Sequence, residues 1–346
     1  MEVDYIVVGC GLAGINFCER LSEAGRTFVV FDNKTQHSSV VAGGLYNPVV
    51  LKRFTSVWKS KEQLILASKV YKDLEHKLSI QLDFKLPVRR IFHSSEEQNN
   101  WFVASDKVEL SQYLSAKLLK NDNLNINAPF GFGEVLSTGR IDTSKLIIEY
   151  KRYLVNSELL REESFEYESL EIGQDSIQYK NISTKHVVFA EGFGLKKNPF
   201  FNHLPLKGTK GELLTIYAPE LNIDYIVKSS AFLIPYGNEQ YKVGATYEWT
   251  DKSNEPTEKG KLELLTKLKT IINCPFEVVD HTAGIRPTVM DRKPLVGTHS
   301  VYKGLHVLNG LGTRGVMVGP YVAKALFESI EEDKPLDHEI NISRFS

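Results

Sequence analysis

Tyr5 to Val8 is an unbroken apolar run that ends on Gly9-Cys10-Gly11-Leu12-Ala13-Gly14. An apolar run bounded by glycine predicts a strand buried on both faces. Ile15, Phe17, Cys18 and Leu21 follow at helical spacing, and Gly25 predicts the end of that helix. Phe28 to Phe31 is a second apolar run, closed by Asp32. Further on, Leu64, Leu66, Ala67, Val70, Tyr71, Leu74 and Leu78 recur at helical spacing and predict one long helix within residues 56–78. Alternation over 82–93 predicts short strands. EEQNNWFVAS reads as a short helix or loop, and residues 110–120 as a helix. Val135-Leu136 and Arg140-Ile141 flank a glycine-containing turn and predict a hairpin. Asp142-Thr143 predicts a helix cap, with the helix running to about Asn156. Strand patterns dominate 165–190 and 205–246, with a hairpin turn at Tyr236 to Glu239. A helix is predicted over 257–272, with Leu262, Leu265, Leu268 and Ile272 on one face and lysines on the solvated side. The chain closes with a buried strand in GLHVLNG and a glycine-opened helix from GLGTRGVMVGP.

The opening order is strand, glycine turn, helix, strand, acid. Gly9 permits a tight turn, Gly11 lets a pyrophosphate approach the backbone, and Gly14 lets the helix lie close to the strand. The helix N-terminus offers free N–H groups and the positive end of its dipole to phosphates. Asp32, eighteen residues after Gly14, can accept hydrogen bonds from a ribose diol. The frame predicts dinucleotide binding, and an acid at 32 argues against a 2′-phosphate. Lys34 is expected in solvent. His186 to Ala190, followed by Glu191-Gly192, is another buried run ending in glycine, so the chain is expected to return to the nucleotide unit there. Gly43-Gly44 and Asn47-Pro48 predict a tight loop, either a plain turn or a loop pressed against a flat ligand.

Composition narrows the class little. The chain has 346 residues, 42% hydrophobic and 25% charged, with a net charge of −1. That balance offers no electrostatic reason to expect nucleic acid or an anionic membrane. Cys10, Cys18 and Cys274 show no paired spacing and read as small packing residues. The nine histidines show no metal spacing. His281 reads as structural. The first strand begins at residue 3, which leaves no room for a signal peptide, and no apolar run reaches the ~18 residues a bilayer span needs. A cytoplasmic protein is expected, of undetermined oligomeric state.

Taken together, GCGLAG with Asp32, AGGLYNP, VVFAEG, KGTKGELL, FLIPYGNEQYKVGATYEW, GIRPTVMDRKPLVG and NGLGTRGVMVGP resemble, in order, the D-amino acid oxidase superfamily of FAD enzymes. That superfamily includes glycine oxidase and sarcosine oxidase. The FLIP…VGATYEW stretch is also similar to the oxidase half of the bifunctional enzyme that modifies wobble uridine in tRNA. The resemblance implies an α/β fold: a Rossmann-type FAD-binding domain with an interleaved second domain on a mainly antiparallel sheet. The expected division is 1–80, 137–205 and 284–341 for FAD, and 81–136 and 206–283 for substrate. It implies FAD contacts at Gly9, Gly11, Leu12, Ala13 and Gly14, at Asp32 and Asn33, and at Gly43, Gly44 and Leu45 over the ring. Further contacts are implied at Ala190 and Gly192, and at Gly312, Thr313, Arg314, Gly315 and Val316 beside the pyrimidine end.

Substrate contacts are implied at Arg286, Tyr46, Phe232 and Tyr247. In glycine oxidase the residue matching Arg286 forks a substrate carboxylate, a task that suits a planar guanidinium. The alternative is an arginine bracing Asp291 or the flavin phosphates. Phe232 stands where glycine oxidase has a tyrosine hydroxyl, so Tyr236, Tyr247 or Tyr46 would have to supply that bond. Leu311 stands where many members have histidine. The implied reaction is oxidation of an amine or amino acid C–N bond by hydride transfer to flavin N5, giving an imine that hydrolyses. Two other roles are a flavin-binding structural or partner subunit, and a tRNA wobble-uridine side-chain oxidase. The near-zero net charge and the lack of a methyltransferase half weigh against the last. A plain NAD dehydrogenase would leave AGGLYNP and NGLGTRG without a job.

Overall fold

A computed structural model describes residues 1–345. The opening pattern forms as its residues dictate. The strand Glu2–Val8 is followed by the helix Leu12–Glu23 and the strand Phe28–Phe31, whose four residues are all buried. Arg161, Phe31, Val8, Phe189 and Val307 sit on parallel neighbours in one sheet, built from the strands Leu160–Arg161, Phe28–Phe31, Glu2–Val8, Ile182–Phe189 and Leu305–Asn309. Antiparallel strands Ile177–Tyr179, Leu170–Ile172 and Leu295–Thr298 extend it to eight. Hydrophobic residues cover both faces, with Tyr5, Val7 and Val30 in one cluster and Ile6, Val8 and Val29 in the other. That is why these strands read as continuous apolar runs rather than alternations.

A second sheet has seven strands. In spatial order they are Glu277–Arg286, Thr209–Tyr217, Gln240–Gly244, Phe232–Gly237, Ile226–Lys228, Val88–Ile91 and Phe132–Val135. All neighbours are antiparallel except Ile226–Lys228 beside Val88–Ile91. Asn238 and Glu239 take left-handed backbone (φ 49° and 59°) in the predicted hairpin turn. The strand Glu277–Arg286 stays in this sheet to its end, so the boundary expected between 283 and 284 falls inside a strand.

Two local expectations fail. Residues 110–120 form turns, not a helix: Ser115 N–H donates to Glu134 O at 2.9 Å and Leu119 N–H to Phe132 O at 3.0 Å. The segment lies along the outer strand of the second sheet and satisfies its edge, while Leu110, Tyr113 and Leu114 are buried beneath it. Helical spacing of apolar residues cannot tell that arrangement from a helix. Val135-Leu136 and Arg140-Ile141 do not form a hairpin. Val135 pairs with Val88, whereas Gly139–Ile141 crosses to a separate sheet with Leu45–Tyr46 and Asp83–Lys85. Buried Thr138 makes the crossing: its hydroxyl donates to Leu86 O at 2.8 Å and accepts from Val88 N–H at 3.0 Å.

The helix Thr143–Asn156 starts where its cap predicts. Asp142 accepts from Lys145 N–H at 3.1 Å and from the Tyr236 hydroxyl at 3.1 Å, and lies 3.7 Å from the buried Arg140 guanidinium. Asp142→Ala removes a cap and the acid beside Arg140 together. It should lower the unfolding free energy by about 2 kcal/mol, read from the urea midpoint at unchanged slope.

Candidate functional site

A cavity of about 450 Å³ lies where the two sheets meet, and most of the glycine-rich motifs reach it. The helices Leu12–Glu23 and Gly315–Glu331 both begin on its wall. Neither has a side-chain cap or an acid in its first turn. They start side by side: a Cβ on Gly315 would lie 3.0 Å from Leu12 Cδ1. Ser39 Oγ accepts from Leu12 N–H at 3.2 Å, and the two positive helix ends face one space, a setting for an anion. At the first end Asp32 accepts from Cys10 N–H at 3.4 Å and forms an ion pair with Lys151 from the helix Thr143–Asn156. Lys34 instead faces solvent and pairs with Glu162 at 2.7 Å.

Glu191 is held between the Tyr167 hydroxyl and Asn198 Nδ2, the latter at 2.8 Å, and burial raises its carboxyl above the usual range. It lines the cavity beside Ala190 and Gly192. Cys10 and Cys18 are free and buried in the core cluster, and burial pushes the Cys10 thiol up to about 12. Cys18 packs inside the core, whereas Cys10 also lines the cavity.

Of the expected nucleotide contacts, Gly9, Gly11, Leu12, Ala13 and Asp32 line the cavity. So do Gly43, Gly44 and Leu45, Ala190 and Gly192, and Gly312 to Val316. Gly14 lies behind the wall, where its missing side chain lets Gly9 O approach. Asn33 is turned away: its Oδ1 accepts from Thr35 N–H and Oγ1, and its Nδ2 donates to Ser164. Gly44 (φ 67°) is required by the neighbouring Ile141 carbonyl, independent of any ligand.

The second sheet supplies the far wall through Leu213, Phe232, Ile234, Gly244, Tyr247 and Arg286. Arg286 Nη1 donates to Thr246 O at 3.2 Å, and the guanidinium carbon sits 4.9 Å from the Tyr247 ring centroid. The guanidinium lies over Gly211, where any Cβ would overlap it. Arg286 enters no ion pair among the described residues, and Asp291, a possible partner from the sequence, is taken by Arg344 at 2.8 Å. Burial lowers the Arg286 pKa, though a guanidinium remains charged.

Tyr46 is a correction: its hydroxyl donates to Asp83 Oδ1 at 2.8 Å, outside the cavity. Tyr236 is occupied as well, bonded to Asp142 and stacked against Arg140 and Lys242. Only Tyr247 of the three tyrosines reaches the cavity wall. His281 Nε2 lies 2.9 Å from Glu212 Oε2, away from the cavity. Glu191, at the end of VVFAEG, also lines the cavity, as do Lys151 and Lys228, which no local motif marks in the sequence.

These features fit FAD. Paired helix N-termini, a close-approach glycine turn, Asp32 just past the strand Phe28–Phe31 and a glycine loop on the wall match the cofactor's phosphates, sugar and ring.

The family described as FAD dependent oxidoreductase matches residues 4–329. The chain is 25% identical over 315 residues to the tRNA 5-methylaminomethyl-2-thiouridine biosynthesis bifunctional protein MnmC of Legionella pneumophila (strain Lens), covering 84% of this chain and 45% of that protein. The MnmC protein of Campylobacter jejuni subsp. jejuni is 23% identical over 305 residues, with the same coverage. The chain thus spans about half the length of the curated relatives it matches. Among solved structures, glycine oxidase from Geobacillus kaustophilus superposes with a TM-score of 0.79 at 18% identity, over 100% of this chain and 98% of that one. Iminodiacetate oxidase from Chelativorans sp. gives 0.76 at 17%, over 99% and 98%. The chain belongs to the FAD dependent oxidoreductase family.

Proposed function

We propose that the protein oxidises the C–N bond of a small amine or amino acid that carries a carboxylate. The observation that carries this reading is Arg286, a guanidinium on the cavity wall with no acid beside it among the described residues. A planar fork of donors matches a carboxylate in two parallel hydrogen bonds. FAD, when bound, supplies the two-electron acceptor.

The chain's own part is orientation. Arg286 anchors the acid, Tyr247 covers the guanidinium, and Leu213, Phe232 and Ile234 form an apolar wall that excludes water. The cavity's carboxylates, Asp32 and Glu191, stand at the nucleotide end, beside the Gly9 turn and Ala190. No carboxylate or imidazole lines the Arg286 wall among the described residues. The fork fixes the α-carbon relative to the glycine loop, and fixed geometry is where most of the rate gain arises. We assign residues 1–80, 137–205 and the last segment to the FAD-binding unit, and 81–136 with 206–283 to the substrate unit.

The matched MnmC proteins favour a second reading, in which the amine is a side chain on a wobble uridine of tRNA. Lys52 and Lys228 on the cavity wall are available to phosphate in that case.

The purified protein should carry non-covalent FAD, released by heat and identified by chromatography; NAD alone, or no nucleotide, would remove the basis of both readings. An anaerobic screen of free amines, amino acids and modified tRNA, following loss of oxidised-flavin absorbance, then separates them. Reduction by amino acids supports the first reading. Reduction by tRNA alone supports the second. A yellow protein that no amine or tRNA reduces would leave only a structural role.

A further inference from the structure

Beyond Phe232 the cavity wall carries another cation with no acid beside it among the described residues. Lys228 ends the strand Ile226–Lys228 and pairs with Phe232 across the sheet. Its side chain lines the cavity, with Nζ 4.6 Å from the Phe232 ring centroid. The one hydrogen bond it makes among the described residues is to Ser229 O, at 2.6 Å. An ammonium has three donors, so two are free for the cavity. The charged groups near it are Arg90 and Lys267, both positive. Arg90 lies 3.7 Å from Glu97 and donates to Leu51 O, and Lys267 pairs with Glu263 at 2.5 Å. Burial and these two cations pull the Lys228 pKa down to about 8. The Phe232 ring and Ser229 O offset part of the cost of burying this charge among like charges, and among the described residues no acid offsets the rest.

The spacing between the two cations matters. The Arg286 guanidinium lies over Gly211 in the strand Thr209–Tyr217, and Lys228 Nζ lies over Phe232 in Phe232–Gly237. One strand, Gln240–Gly244, separates those two. Two strand spacings are about 10 Å, and Gly211 is offset by two residues, about 7 Å, from Leu213, which is level with Gly244 and Phe232, so the anchors stand about 12 Å apart. Each ion pair takes up about 3 Å, which leaves roughly 6 Å between the outer oxygens of two acidic groups on one ligand. That is the separation across a short amino dicarboxylate. Leu213, with no side chain at Gly244 beside it, forms an apolar floor between the two anchors that suits the intervening methylenes.

Resting on the reading of Arg286 as the carboxylate anchor, we infer that Lys228 takes a second carboxylate of the same substrate, so that the site selects amino dicarboxylates over amino acids with neutral side chains. Lys228 is a specificity-determining residue in this scheme and touches no reacting atom.

The test uses the full FAD-loaded chain and two simple acids, glutarate and butyrate, titrated by calorimetry. Glutarate should bind the wild type at least tenfold more tightly. K228Q should erase that preference, and K228R should retain most of it. In anaerobic flavin reduction, the ratio of kcat/KM for glutamate to that for 2-aminobutyrate should fall about thirtyfold in K228Q, through KM, near the low end for truncating one member of a buried charge pair. Circular dichroism and retained FAD show that the variant is folded. Equal binding of the two acids by wild type, or equal loss of both in K228Q, would overturn the proposal. R286A that binds butyrate as tightly as wild type would strike the Arg286 reading instead, while the glutarate-to-butyrate ratio still reports on Lys228.

Discussion

Arg286→Ala should retain FAD and the native fold yet lose most of its activity toward substrates with a carboxylate. The side chain makes one hydrogen bond, to Thr246 O, and stacks on Tyr247, so its removal leaves the sheet ladder intact. The strand Glu277–Arg286 is held by its backbone pairing to Thr209–Tyr217. A charge-assisted fork lost from an enclosed site costs about 2–5 kcal/mol, which lowers the efficiency of flavin reduction by roughly two to three orders of magnitude. Arg286→Lys should recover only part, because an ammonium cannot reproduce the planar fork. Amines without a carboxylate should be affected far less. Gly211→Ala offers an independent check, since its Cβ would displace the guanidinium without removing the charge. It should reproduce the same substrate bias. Matched anaerobic reductions with and without the acid group decide the matter: equal losses for both substrates would return Arg286 to a structural role.

Gly14→Val should act on the cofactor instead. A Cβ at Gly14 would overlap Gly9 O, a backbone atom that cannot swing aside, with the Ala190 side chain also within 3.7 Å. The helix Leu12–Glu23 must then move away from the turn, and its N-terminal N–H groups lose their aim at the cavity. Overpacking of this kind costs about 1–3 kcal/mol. Spread over folding and binding, it should weaken FAD affinity by roughly tenfold to a hundredfold, seen as flavin lost on gel filtration. Flavin fluorescence titration of the apoprotein measures the shift. An unchanged affinity would show that the close approach of helix to turn is not what forms the phosphate cradle.

Features that depend on neighbours along the chain were legible from residue order. The strand, glycine turn, helix and acid of residues 2–32, the Asp142 cap, and the hairpin at Asn238-Glu239 are each specified within a few residues. Hydrogen-bonding range and backbone sterics act at that distance, so composition and spacing suffice. The resemblance to FAD enzymes extended this to the glycine loops, most of which do line the cavity. It erred where a side chain's direction depends on a distant partner. Tyr46 turns to Asp83, thirty-seven residues on, and leaves the cavity. The chain near Ser115 gives up a helix because an unpaired strand edge lies beside it.

The charges lining the cavity, at the nucleotide end and the substrate end alike, were decided almost wholly by tertiary packing. Lys151 reaches Asp32 across 119 residues, and nothing near either marks the pair. Arg286 was visible as a candidate, but its freedom from Asp291 depends on Arg344, fifty-three residues beyond that acid. Lys228 reads in the sequence as one lysine among many. It becomes distinctive only when sheet order places it two strands from the Arg286 guanidinium, on the same wall, with no acid in reach among the described residues. Local propensity sets which segments become strands and helices. The register and order of those strands, fixed by burial of both sheet faces and by long-range pairing, set which charges share a cavity.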